Sequence, residues 1–172
     1  MFMKNWQLLS KEESEKVWDI IHDKFKFNPS INKRAKSFKI EQNHVIYDIS
    51  HIWKKSSFDS LCKDLEDKML EVFKFITHNY EEIYALNWQH ESYKFNPRGE
   101  MPRDEFGEWL VPILPDGDYY FFIEKDFEWG YIGHPWQKTI TIFGDELIEG
   151  IKLNKPCMLD RIGKEVTNTL KI

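Results

Sequence analysis

Residues 109–144, WLVPILPDGDYYFFIEKDFEWGYIGHPWQKTITIFG, decide the fold. The stretch predicts four short strands, at 109–113, 118–124, 127–132 and 138–143, separated by turn signals. Pro115-Asp116-Gly117 supplies proline's fixed φ, an Asx side chain and a glycine that tolerates positive φ. Lys125-Asp126 and Gly133-His134-Pro135-Trp136 are the other two turns. Strand alternation puts Tyr119, Phe121 and Ile123 on one face of 118–124, with Asp118, Tyr120, Phe122 and Glu124 on the other. Strands laid down this closely in sequence predict an antiparallel sheet.

The flanking segments supply cover for that sheet. Ser10 followed by Glu13 matches a capping box. It predicts a helix over 11–25 with Val17, Trp18, Ile21 and Phe25 on one stripe. Phe58, Leu61, Cys62, Leu65, Met69, Val72, Phe73 and Ile76 recur at spacings of three and four, predicting a long amphipathic helix over 57–77. Alternation at 83–88 predicts another strand of the same sheet. Residues 37–40 and 44–49 read as a two-stranded hairpin, 100–108 as a polar surface loop, and 145–151 as the start of a short helix. Leu159, Ile162, Val166 and Leu170 at helical spacing predict a C-terminal helix, weakened by Gly163 and Thr167. The expectation is one α+β domain over 1–172: an antiparallel sheet of about five to seven strands, with the long helix and the N-terminal helix packed on one face.

Composition narrows the function classes. The formal charge of -5 disfavours binding to a phosphate backbone. The charge is uneven, however: residues 28–55 hold six basic residues against two acids, and residues 100–130 hold nine acids against Arg103 and Lys125. Basic residues interleaved with Phe38, Tyr47 and Trp53 could form a stacking platform for single-stranded nucleic acid, but no RNA-binding signature accompanies them. Cys62 and Cys157, far apart and outside any C-x-x-C spacing, predict neither a disulfide framework nor a zinc knuckle. No apolar run approaches a membrane span, so a cytoplasmic protein with no membrane association is expected.

The fragments LNWQH, FNP, LPDGDYY, GHPW and TITIFG together resemble an uncharacterised bacterial family, domain of unknown function 2716. The resemblance covers most of the chain and implies family membership but no activity. A proline often follows the W-Q-H of that pattern and a glutamate often follows its H-P-W. Glu91 and Gln137 stand at those places here, so His134 lacks a neighbouring carboxylate.

His90 and His134, embedded in these fragments, are the candidate general bases or ligands. No histidine pair has helical metal-site spacing, and no H-E-x-x-H, serine elbow, P-loop or dinucleotide fingerprint occurs, so no metal or cofactor is expected. Asp118 and Glu124 share a strand face but lie about 20 Å apart at ~3.3 Å per residue, too far for a glycosidase pair. Trp88, Trp109, Trp129 and Trp136 all fall in the sheet region, and tryptophan is enriched at binding hot spots. Two expectations follow. The first is a non-enzymatic module of antitoxin or immunity type that binds a basic protein partner through an acidic, aromatic-rich sheet surface including Trp109, Glu128 and Trp129. The alternative is a small-molecule-binding or hydrolytic pocket where Trp88 and His90 meet His134 and Trp136.

Overall fold

The computed structural model describes residues 5–168. Helix α1 (Lys11–Phe25) begins where the capping pattern places it: Ser10 Oγ accepts the Glu13 amide at 3.1 Å. The Glu13 carboxylate does not reach back to the cap; it pairs instead with Lys94 Nζ at 3.3 Å. Lys26 ends the helix in the left-handed region, at φ 50°. Helix α2 (Phe58–Ile76) matches its predicted stripe and buries Leu65, Met69, Val72 and Phe73.

Among the described residues, eight strands form one antiparallel sheet. They are β1 (Gln7–Leu8), β2 (His44–Asp48), β3 (Ile83–Asn87), β4 (Tyr93–Phe95), β5 (Tyr120–Glu124), β6 (Gly130–His134), β7 (Thr139–Phe143) and β8 (Ile162–Val166). Their spatial order is β1-β4-β3-β5-β6-β7-β2-β8. A third helix, α3 (Asp145–Leu153), follows β7. The predicted α+β class and antiparallel sheet are present, with more strands than the expected five to seven.

The two long helices lie on opposite faces, which corrects the expected one-sided arrangement. Ala85, Phe122, Tyr131, Ile142 and Val45 form one cross-sheet row that packs with Phe73 of α2. Phe73 stacks on Phe122 and Trp129 at centroid distances of 5.8 and 6.0 Å. The next row, Leu86, Phe121 and Ile132, packs on α1, whose Trp18 meets Phe121 edge-on at 5.5 Å. Strands such as IYALN and YFFIE are apolar at consecutive positions because they bury both faces. Deleting the Phe73 ring from such a core costs about 3 to 5 kcal/mol.

Other expectations are corrected as well. Residues 109–113 are not a strand: Trp109, Val111 and Ile113 are buried against the α2 face, but only an Arg103–Trp109 bridge forms. Pro112 has no amide to donate to a ladder. Residues 37–40 do not pair with β2, whose two edges are taken by β7 and β8. The stretch around 162–166 is a strand because the outer edge of β2 needs hydrogen-bond partners, and Leu170 lies outside the described residues. Strand β6 begins three residues later than predicted, with Phe127 at φ 60° in the preceding turn. It also runs through His134, so the next turn falls at 135–138.

Candidate functional site

A helix with its side chains is about 10 to 12 Å across, and strands are spaced about 4.8 Å apart. A single helix therefore cannot cover an eight-stranded face. The row that begins Leu86-Phe121-Ile132 under α1 continues through Thr141, Ile46 and Lys164 on β7, β2 and β8, beyond the reach of the helix. The chain leaving α1 arches over this end as a strap, residues 26–40. Between strap and sheet lies a cleft of about 600 Å³. That volume falls within the range of small-molecule sites, roughly 300 to 1,000 Å³.

The strap is closed on itself and pinned to the sheet. Asn28 N donates to Ser37 O and Lys39 N to Phe25 O, both at 2.6 Å. Gln137 Nε2 donates to Lys33 O and Ala35 O at 3.0 and 3.2 Å. A carboxylate at position 137 could not make these two bonds, which gives the departure from the resembled H-P-W-E pattern a physical role.

His134 sits under the strap, 1% exposed. Its Nδ1 accepts the amides of Trp136 and Gln137 at 3.2 and 3.1 Å, which requires the proton to be on Nε2. Nε2 meets Ser37 Oγ at 3.0 Å and Tyr119 Oη at 3.2 Å. Tyr119 donates onward to Ser30 O at 2.9 Å. One directional chain satisfies all of these groups: His134 to Ser37, Ser37 to Tyr119, Tyr119 to Ser30. Burial drives the imidazole pKa down to about 4. The Ser37–His134 distance is that of a nucleophile and its base, but the tautomer is the reverse of the one a base needs. This histidine holds the strap in place.

The cleft itself is cationic. Lys26, Arg34, Lys36, Lys39 and Lys164 line it, drawn from the α1 cap, the strap and β8, and none of its lining residues is acidic. Lys26 and Lys39 have loose, exposed acidic neighbours at 3.8 and 3.9 Å. Arg34, Lys36 and Lys164 have no acidic partner among the described residues. The lining is apolar at Phe38 and Ile40 of the strap and at Ile46 and Val166 of the sheet, and the sheet side is polar at two places. Thr141, 1% exposed, leaves its hydroxyl without a hydrogen bond. His44 donates Nδ1–H to Gln42 O at 2.8 Å, leaving Nε2 as its unbonded nitrogen.

The residues singled out from sequence scatter. Trp109 and Trp129 are 1% and 2% exposed and belong to the core under α2, so the aromatic-rich sheet surface expected around them does not exist. Both sheet faces carry cover, and large apolar rings fill the space beneath it. Glu128 is exposed in the turn before β6. Trp88 and Trp136 are 37% and 43% exposed at the same end of the sheet. Strand β5 stands between β3 and β6, so Trp88 and His90 do not lie beside His134 and Trp136. His90 is solvent-facing, 3.6 Å from the buried Asp118 carboxylate, and His134 alone of the pair lines the cleft. The nucleic-acid platform is not assembled either: Tyr47 and Trp53 pack on the α2 face, Phe38 on the other. Sequence reasoning passed over His44, Thr141 and Lys164. Thr141 of TITIF and His44 of HVIYD are signalled only by a polar residue at an inward position of a largely apolar strand, and Lys164, exposed in IGKEV, carries no such signal.

The family model described as a protein of unknown function, DUF2716, matches residues 8–148. The uncharacterized protein YxiI of Bacillus subtilis (strain 168) is 38% identical over 160 residues, spanning 91% of this chain and 98% of that protein. No solved structure matches. None of the helices among the described residues is long and apolar enough to cross a membrane.

Proposed function

We propose, from the premise that the chain belongs to the DUF2716 family of proteins of unknown function, that it binds a small anionic molecule in the cleft beneath the strap. The observation carrying this reading is the gathering of five cations and no acid among the described lining residues of one concavity, in a chain whose formal charge is -5. Like charges brought together repel, and three of the five have no ion-pair partner among the described residues to offset the repulsion. A bound anion supplies that partner. Thermal-shift screening against phosphate, sulfate, citrate and phosphorylated metabolites is expected to raise Tm, by mass action on the folded state. Arg34→Glu with Lys36→Glu is expected to abolish the shift while leaving the unliganded Tm near wild type, since both side chains are exposed. An undiminished shift in that double variant would sink the proposal.

A second reading concerns the opposite face. Asp59 and Glu66 of α2 lie close enough to Glu108 and Asp116 for all four to act on Cys62, and Arg103 of the 100–108 loop pairs with Glu66. Burial, then Asp104, Asp116 and Glu66, raise the Glu108 carboxyl above its ordinary range. Phe106, 80% exposed, stands at the tip of that loop. An acidic patch kept together against its own repulsion, around an exposed ring, suits a basic protein partner. Pull-down with the tagged protein and with Phe106→Ser plus Glu108→Lys tests it: a basic protein recovered by both forms alike would refute the patch.

A further inference from the structure

Resting on the anion-binding reading, we infer that the cleft receives a nucleoside monophosphate, with its base on the floor and its phosphate at the strap's cations. The division follows from where the charges stand. Lys26, Arg34, Lys36, Lys39 and Lys164 are all exposed at the rim, whereas the floor is built from Ile46 and Val166, with the half-buried Phe38 of the strap also lining the cleft. Seating a phosphate on that floor would strip its water for little return. The anionic group therefore belongs at the rim, and an uncharged body lies beneath it.

The floor also states what the body must be. A purely aliphatic body would leave the buried Thr141 hydroxyl unpaired and would cover His44 Nε2 without giving it a partner. Thr141 pairs with Ile46 across β2 and β7, and His44 lies two residues from Ile46 on the same face. The two polar groups are thus diagonal neighbours, within reach of a single flat ring. The neutral His44 ring, with Nδ1–H already given to Gln42, offers an acceptor at Nε2, and Thr141 offers both a donor and an acceptor. A ring edge that sets an N–H donor beside an acceptor matches that pair, and each of the four nucleobases carries one. Phe38 offers a face on which a base can stack.

A nucleoside monophosphate unit could also come from an RNA strand. The chain's acidic balance and the confinement of the cations to one cleft favour the free nucleotide. The test is calorimetric titration of the full chain with AMP, GMP, CMP, UMP, adenosine and inorganic phosphate, and with a ten-residue oligoadenylate. The expected result is one-to-one binding of the nucleoside monophosphates, with adenosine and phosphate each weaker than AMP by about tenfold or more, because each lacks one of the two groups that the cleft recognises. Thr141→Val should weaken AMP by about fivefold or more while holding or raising the unliganded Tm, because it removes an unpaired buried hydroxyl. Adenosine binding as tightly as AMP, or AMP binding unchanged in Thr141→Val, overturns the nucleotide assignment. Phosphate binding as tightly as every nucleotide overturns it too but leaves the anion cleft standing, and no binding by any probe ends both readings. Oligoadenylate binding far more tightly than AMP transfers the site to RNA and overturns the free-nucleotide assignment.

Discussion

At the scale of the residue, His134 shows how a surrounding structure sets chemistry that a motif cannot. GHPW offers a histidine flanked by turn residues, and from sequence alone it can serve as base, ligand or strut. Two backbone amides on Nδ1 and a pKa pushed down to about 4 decide for the strut. The same shift has a stability consequence. The unfolded chain takes up a proton on this ring as pH falls through about 6.5, and the folded chain does not until about pH 4. Stability present above pH 6.5 is therefore lost across that window, by about 3 kcal/mol for a shift of this size. Urea unfolding at a series of pH values should show stability falling from pH 7 towards 4 more steeply in wild type than in His134→Gln. Equal slopes in the two proteins would show that the buried ring already titrates normally. Thr141 is the converse case: nothing marks it in sequence beyond a hydroxyl in an apolar strand, because its lack of a partner depends on what lies across the cleft.

At the scale of the element, legibility follows the range of the interactions that define each one. The helices at 11–25 and 57–77 are set by caps and by contacts three and four residues apart, and they appear within a residue of the predicted bounds. Strands depend on partners chosen across the chain. Residues 109–113 alternate in burial as a strand would yet form no ladder, and 162–166 pair with β2 despite a helical spacing. The end of α2 also rests on a distant residue. Arg98 donates to Thr77 Oγ1 and His78 O at 3.0 and 2.8 Å, to Thr77 O at 2.6 Å, and to Lys74 O. Lys74 O and Thr77 O are carbonyls a helix terminus leaves unpaired, and a cation there also opposes the helix dipole. Arg98→Ala should cost about 1.5 to 3 kcal/mol in chemical denaturation, the range for hydrogen bonds to a charged group. Arg98→Lys should recover only part of that, since an ammonium cannot span four acceptors as a planar fork does. A loss under about 0.5 kcal/mol for Arg98→Ala, ordinary for a surface change, would show that solvent replaces the cap.

At the scale of the whole molecule, the charge pattern was visible in sequence and its geometry was not. The basic stretch near residue 35 and the acidic block from 100 can be counted from the chain, and the net balance of -5 argues against polyanions. That average conceals the arrangement. The strap carries the basic stretch to the α1 face at the β2–β8 end, whereas the acidic loop is tied by Arg103 to Glu66 of α2 on the other side of the sheet. Both placements trace to one physical cause. An eight-stranded sheet has more surface than its helices can cover, so each face is completed by an irregular segment, 26–40 on one and 109–113 on the other. The segment that completes the α2 face fills it with Trp109, Val111 and Ile113 and leaves a solid core. The segment that completes the α1 face is rich in lysine, whose long chains cannot fill the space beneath them and whose charges stay in water. The concavity and its charge are therefore one consequence of a single choice of residues. A small anion meets that cleft across a screening distance of about 10 Å at 0.1 M salt, whereas a long polyanion would extend onto a surface of opposite character.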